Sequence, residues 1–97
     1  MKRNEVIRRL QAHRDELTDR YGVKTLALFG SVARGDATEQ SDIDLLVEFS
    51  RPVGLFGLFE LQDHLEAVLE CPVDLGTRDG LKPRLRSKIL AECIDVA

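Results

Sequence analysis

The sequence predicts an α/β fold in which a small mixed sheet is flanked by helices. Short apolar runs typical of strands alternate along the chain with longer segments whose apolar residues recur at helical spacing. Strands interspersed with helices favour a sheet with helices packed against it. The 97 residues allow one modest core, so residues 1–97 are expected to form a single domain.

The first half of the chain is predicted to contain one helix and two strands. A helix is expected over residues 2–21, where the apolar residues near helical spacing are Val6, Ile7, Leu10, Leu17 and Tyr21. The apolar run at 24–29 is typical of a central strand. Residues 42–49 alternate as a second strand, with one face formed by Ile43, Leu45, Val47 and Phe49.

The second half is predicted to contain two helices, a third strand at 72–76 and a short terminal strand or tail. The first of these helices is indicated by the periodic residues Leu58, Leu61, Leu65, Val68 and Leu69. Pro72 should stop it. Gly80 and Pro83 open the last helix, whose inward-facing residues are expected to be Leu85, Ile89, Leu90 and Cys93.

The composition is that of a globular domain and argues against two classes of function. A net charge of −3 does not favour direct nucleic-acid binding, which usually needs a basic excess. We also expect a cytoplasmic protein that does not bind membranes, because no apolar run approaches the roughly 20 residues of a membrane span and the N-terminus lacks a signal-peptide segment. Cys71 and Cys93 lack metal-ligand spacing and are expected to be reduced thiols.

A glycine–serine pair at the end of the first predicted strand suggests a phosphate site. Gly30 and Gly35 have the spacing of a P-loop, but the Lys and the Ser or Thr that should follow are missing. Glycine lets a ligand approach the backbone closely, Ser31 adds a hydroxyl, and Arg34 offers a charged contact to phosphate. The alternative is a tight strand-to-helix turn capped by Ser31.

Two aspartates at the start of the second predicted strand suggest a cation site. Asp42 and Asp44 are two residues apart, so both carboxylates point to the same side of an extended chain. They repel each other unless a cation lies between them, and Mg²⁺ prefers such oxygen ligands. The alternative is an ordinary polar strand start, with Ser41 and Asp42 as turn residues.

Asp74 in the third predicted strand favours the cation site. If that strand pairs beside residues 42–49, its carboxylate joins Asp42 and Asp44. Three carboxylates can hold two divalent ions, which promote in-line displacement at phosphorus. The combination of these residues with Gly30 and Ser31 indicates phosphoryl or nucleotidyl transfer.

Gly30-Ser31, the ten residues 32–41, Asp42-Ile43-Asp44 and the later Asp74 together resemble the nucleotidyltransferase superfamily that includes DNA polymerase beta. The surrounding sequence is similar to the minimal nucleotidyltransferase (MNT) group, in particular the MntA-type antitoxins of HEPN/MNT systems. The similar segments are LFGSVARGDATEQSDIDLLVEF and VDLGTRDGLKPRLRSKIL. The resemblance covers residues 5–96.

The resemblance implies a polymerase beta-like palm fold and a role for each matching residue. Asp42, Asp44 and Asp74 would bind two Mg²⁺ ions, and Asp74 would also help to deprotonate the nucleophile. Gly30 and Ser31 would hold the β- and γ-phosphates of ATP, with Arg34 as a further phosphate contact.

The resemblance also implies an assembly, because the missing acceptor-binding surface of so short a chain would come from a partner or from a second copy of the chain. In the minimal group the usual source is a partner. That partner would be a HEPN-domain ribonuclease toxin in a hetero-oligomer. The chain would be the antitoxin of a type VII toxin–antitoxin pair and would transfer AMP to a tyrosine hydroxyl of the toxin. Two alternatives stay open: neutralisation by steric occlusion without catalysis, and nucleotidyl transfer to a small molecule or an RNA end.

Overall fold

The fold is seen in a computed structural model of the chain, which describes residues 2–36 and 42–96, apart from the side chain of Asp79. Within these ranges the helices are α1 (Arg3–Ala12), α2 (Arg14–Tyr21), α3 (Gly30–Arg34), α4 (Leu55–Leu69) and α5 (Pro83–Glu92), and a 3₁₀ turn covers Arg78–Gly80. The strands are β1 (Val23–Phe29), β2 (Ile43–Phe49), β3 (Val73–Thr77) and β4 (Ile94–Asp95). The predicted α/β fold is confirmed; Ser41, predicted as a turn residue, lies outside the described ranges.

The strands form one mixed sheet in the order β3-β2-β1-β4. β1 pairs antiparallel with β2 and with β4, whereas β2 and β3 run parallel. The parallel pair needs a crossover, and α4 supplies it. The central positions of β1 and β2 explain why their sequences are the most apolar runs of the chain.

The core lies on one face of the sheet. The side chains of Ile43, Leu45 and Val47 alternate onto this face of β2 and are at most 1% exposed. They belong to one cluster with Leu26 and Leu28 of β1 and with buried residues of three helices, namely Val6, Leu10, Leu17, Leu61, Leu65 and Leu69. The opposite face of β2 carries Asp44 together with the buried Leu46 and the half-buried Glu48.

The N-terminal helix is divided in two, contrary to the prediction of one helix over residues 2–21. The break is at His13, whose ring Nδ1–H donates to the carbonyl of Arg9 at 2.9 Å. The main-chain N–H of His13 donates instead to the carbonyl of Leu10 at 3.1 Å, which tightens the turn. A side chain that takes the carbonyl four residues back competes with the regular helical bond.

The last helix forms as predicted, but only some of its expected inward-facing residues turn inward. Leu85 and Leu90 are exposed, whereas Ile89 and Cys93, which follows the helix end, are half-buried. In α5, all of whose residues the structure describes, no side chain is fully buried. Its packing is chiefly against the short α3, which covers little of it. Periodicity identified the helix, whereas burial depends on what lies opposite.

Two other expectations concern thiols and membranes. Cys71 and Cys93 are half-buried free thiols, as predicted. Among residues 2–36 and 42–96, the structure contains no helix with the length and apolar character needed to traverse a bilayer.

The contrast between α4 and α5 can be tested with a matched pair of leucine truncations. Leu65 is 0% exposed and Leu90 is 36% exposed. We expect Leu65→Ala to lower the free energy of unfolding by about 2–5 kcal/mol because it leaves a cavity in the core. Leu90→Ala should change it by less than about 1 kcal/mol. Urea denaturation measures both, and equal losses would contradict the exposed placement of α5.

Candidate functional site

The register of the sheet brings Asp44 and Asp74 side by side. The two residues are direct partners in the parallel pair of β2 and β3. Neighbouring strands are about 4.8 Å apart, and paired residues of parallel strands point to the same face. Asp42 lies two residues before Asp44 and is exposed. The three predicted carboxylates thus share one end of the sheet, on the face away from the core.

The electrostatics show that these carboxylates act on one another. Burial, followed by the charges of Asp74 and Asp42, raises the pKa of the Asp44 carboxyl above its ordinary value. Arg34 opposes that shift. Two like-charged neighbours disfavour ionisation of the group between them. A positive charge next to Asp44 would therefore stabilise the ionised carboxylates.

The three carboxylates have the chemistry to bind a hard divalent cation, although the protein alone does not complete the coordination of such an ion. Carboxylate oxygens are the ligands that Mg²⁺ prefers, and Mg²⁺ is usually held by few protein ligands together with substrate phosphates and water. Across residues 2–36 and 42–96, no three His, Cys, Asp or Glu side chains converge tightly enough to form a metal cluster by themselves. The residues fit a metal shared with a bound nucleotide.

The turn after β1 packs its main chain directly against Asp44. Gly30 has a left-handed φ of 75°, and a Cβ on it would lie 2.2 Å from Oδ2 of Asp44. Only glycine allows this close approach without displacing the carboxylate. The preceding residue, Phe29, is paired with Asp44 in the β1–β2 register. Gly30 therefore lies directly beside the carboxylate of Asp44.

Ser31 follows Gly30 on a turn whose main chain is fixed at both ends. Val32 and Ala33 are buried in the core. Gly35 ends the turn with a left-handed φ of 82°, and the N–H of Asp36 donates to the carbonyl of Ser31 at 2.9 Å. These are features of a Schellman motif. Ser31 lies inside α3, whose capping position is Phe29, so the alternative of a turn capped by Ser31 does not describe it.

Arg34 is the predicted site residue that the structure does not bring onto the carboxylates. Its guanidinium donates to Asp36 at 3.2 Å and to Glu92 of α5 at 3.3 Å. The hydrogen bond to Asp36 is the main cause that raises the pKa of Arg34. The side chain would have to exchange these exposed partners to contact a phosphate.

Two further residues near the site were missed by sequence analysis. Glu66 and Gln62 of α4 both hydrogen-bond to the main chain of Val73, the residue before Asp74. Their spacing of four residues indicates a shared helix face, but nothing in the sequence shows what that face contacts.

One cavity of the described residues lies away from the carboxylates. It has a volume of about 600 Å³ and is lined by the carboxyl ends of β2 and β3 and by the start of α4, including Phe49, Pro52, Val53, Leu58 and Arg78. The carboxylates lie at the opposite, amino ends of the same two strands. The candidate site therefore does not coincide with this cavity.

Two sequence comparisons relate the chain to known proteins. The family model of the nucleotidyltransferase domain matches residues 10–96. The chain is 41% identical over 87 residues to protein adenylyltransferase MntA of Thermococcus cleftensis. The aligned segment covers 90% of this chain and 88% of that relative.

Solved structures give the same result. A structure provisionally described as a minimal nucleotidyltransferase superposes with a TM-score of 0.81 at 40% identity, covering 97% of this chain and 95% of that one. The MNT antitoxin in a complex with a tri-AMPylated HEPN toxin from Shewanella oneidensis is also similar. Its TM-score is 0.66 at 18% identity, with 94% of this chain and 71% of that chain covered, and this likeness shows the fold alone.

The contact between Gly30 and Asp44 can be tested against a second glycine of similar conformation. Gly35 also has a positive φ, but a Cβ there would meet no atom of the described residues within 4 Å. Each change to alanine should lower the free energy of unfolding by about 1–2 kcal/mol because of the left-handed backbone. Only Gly30→Ala should also weaken Mn²⁺ binding, by at least about tenfold. Mn²⁺ titration followed by electron paramagnetic resonance measures this, and equal affinities would refute the contact.

The raised pKa of Asp44 predicts that its charge destabilises the metal-free protein. A carboxyl whose folded-state pKa is raised is penalised when ionised, so the penalty is present at neutral pH. We expect Asp44→Asn in EDTA at pH 7 to raise stability by about 0.5 kcal/mol, or roughly 2–4 °C in Tm, since solvent screens the exposed charges.

The same penalty should disappear on acidification. The advantage of Asp44→Asn is expected to be lost as the pH falls through the window between the raised pKa of Asp44 and its ordinary value of 3.8. Thermal melts at several pH values measure this. An advantage that persists or grows in acid would contradict repulsion as its cause.

Proposed function

The chain belongs to the nucleotidyltransferase domain family, and from this premise we propose that it transfers AMP from ATP to a tyrosine hydroxyl of a HEPN-domain toxin. In this proposal the chain is the antitoxin of a type VII toxin–antitoxin pair. The observation that carries the proposal is the register that sets Asp44 beside Asp74, with the main chain of Gly30 packed against the Asp44 carboxylate.

Each site residue has a role in this reaction. Asp42, Asp44 and Asp74 would hold Mg²⁺, which supplies charge stabilisation at the transferring phosphoryl group when it is bound. The main chain at Gly30 and the hydroxyl of Ser31 would bind the β- and γ-phosphates of ATP. Arg34 would serve as a further phosphate contact after leaving Asp36 and Glu92.

The bond changes follow from this placement. The acceptor oxygen forms a bond to the α-phosphorus of ATP, the bond from that phosphorus to the β-phosphate oxygen breaks, and pyrophosphate leaves. A carboxylate oxygen of Asp74 takes the proton of the acceptor hydroxyl. Asp74 is suited to this because it is exposed on the outer strand, where an incoming acceptor can reach it.

Two observations support a protein as the acceptor. The relative from Thermococcus cleftensis is named a protein adenylyltransferase, and the HEPN toxin of the Shewanella oneidensis complex is described as tri-AMPylated. In addition, the carboxylates of Asp42 and Asp74 are exposed, so a side chain carried on the surface of another protein can reach them.

The proposal is tested by incubating the chain with the protein that the neighbouring gene encodes, Mg²⁺ and each nucleoside triphosphate in turn. Intact-mass measurement should show one or more AMP groups on the partner with ATP. Asp44→Asn should slow the transfer more than about 100-fold, beyond the range for residues that only support metal ligands. Asp63→Asn, an exposed carboxylate change on α4, is the control and should leave the rate unchanged.

Two outcomes would refute the proposal. The first is the absence of any mass increment with all nucleotides. The second is full neutralisation of the toxin in cells by an Asp42→Asn/Asp44→Asn variant that still forms the complex, which would favour steric occlusion.

A further inference from the structure

The third carboxylate of the candidate site lies on a strand that has a neighbour on one side only. β3 is at the edge of the sheet formed by the described strands, with β2 as its partner. The carbonyl of Pro72 accepts from the N–H of Ile43 at 3.1 Å and so faces β2. Main-chain groups alternate in direction along a strand. The N–H and C=O of Val73 therefore point away from the sheet.

Helix α4 supplies the partners that a further strand would otherwise provide. The N–H of Val73 donates to Oε2 of Glu66 at 2.9 Å. Nε2 of Gln62 donates to the carbonyl of Val73 at 3.0 Å. Both bonds are partly buried, and they join two consecutive elements of the chain, with one acceptor and one donor of α4 facing the main chain of Val73. Together they satisfy an edge that would otherwise be open.

The helix that carries these two side chains is firmly held. Leu61, Leu65 and Leu69 lie on its inner face and are 0% exposed. Gln62 and Glu66 each follow one of these leucines, so their positions are fixed by the core. The Val73 side chain is itself buried beneath the strand. The main chain leading into Asp74 is thus held by the core, by β2 and by α4.

We propose that Gln62 and Glu66 are positioning residues for Asp74, which keep its carboxylate level with Asp44. This inference rests on the proposed function of Asp74 and extends it to residues that touch neither nucleotide nor metal. An edge strand without these bonds can fray or shift, and a shift of one residue would turn Asp74 toward the core. Side chains that orient metal ligands typically contribute 10–100-fold in metal affinity or activity.

Glu66 acts as an acceptor and Gln62 as a donor, so exchanging Glu and Gln at each position tests each hydrogen bond separately. Glu66→Gln keeps an oxygen that accepts from Val73, so it should preserve function. Gln62→Glu has nearly the same size but places a carboxylate against the Val73 carbonyl, where a donor is needed. Glu66→Ala and Gln62→Met remove one bond each and provide second variants if Gln62→Glu unfolds. Glu60→Ala, at an exposed position of the same helix, is the matched control.

Three measurements on the full chain test the role. Gln62→Glu, Gln62→Met and Glu66→Ala should accelerate hydrogen exchange at the Val73 amide and weaken Mn²⁺ binding by about tenfold or more. With the partner protein, they should lower kcat by about 10–100-fold with a smaller change in the KM for ATP, because Gly30 and Ser31 are untouched. Glu66→Gln and Glu60→Ala should stay within about threefold of the parent chain in every measurement.

The inference is overturned if the variants exchange faster at Val73 yet bind Mn²⁺ and turn over like the parent chain. It is also overturned if Glu66→Gln is as impaired as Glu66→Ala, since the hydrogen bond would then not be the cause. Failure of the proposed function looks different: the parent chain would transfer no AMP, while the same variants would still differ in Mn²⁺ affinity.

Discussion

The repulsion among Asp42, Asp44 and Asp74 is the constraint on which the rest of this structure depends. Exposed like charges usually relieve their repulsion by turning away from each other, but the parallel register fixes Asp44 opposite Asp74. Burial and the neighbouring charges raise the pKa of Asp44, which is the sign of this conflict. The fold keeps the carboxylates together at a cost in stability, and perturbed pKa values of this kind cluster at functional sites.

The stabilising interactions that offset this cost come from the other face of the same strand. Ile43 and Leu45 flank Asp44 in the chain and are buried against the helices, so the alternation of β2 ties the charged face to the core face. Rotating Asp44 out of the site by a change of register would expose both neighbours. The turn at Gly30 limits the carboxylate from a second direction. One strand therefore serves stability and chemistry at once.

Sequence analysis predicted those parts of the fold and site that depend on local pattern. The strand containing Asp44 follows from alternation. The pairing of the strand of Asp74 beside it could be stated only as a condition, and Gly30 was expected to approach a ligand, whereas its main chain approaches Asp44. Other features depend on which atoms lie opposite one another in space, and this cannot be read from the local sequence. They are the break at His13, the exposure of Leu85 and the ion pairs of Arg34. The contacts of Gln62 and Glu66 with Val73 are of the same kind, since they join a helix to a strand edge.

The position of Asp74 on an edge strand fits the size of the proposed acceptor. Asp44 lies on β2, between β3 and β1, whereas Asp74 lies on the edge strand β3, so an acceptor can approach Asp74 from the edge of the sheet as well as from its face. At the edge the third carboxylate is accessible, as its exposure shows, but an edge strand is the least restrained part of a sheet. The bonds from α4 to Val73 restrain that strand from the outer side while leaving the face with the carboxylates open. An accessible site and a fixed carboxylate are compatible here because the restraint comes from a helix packed on the opposite face.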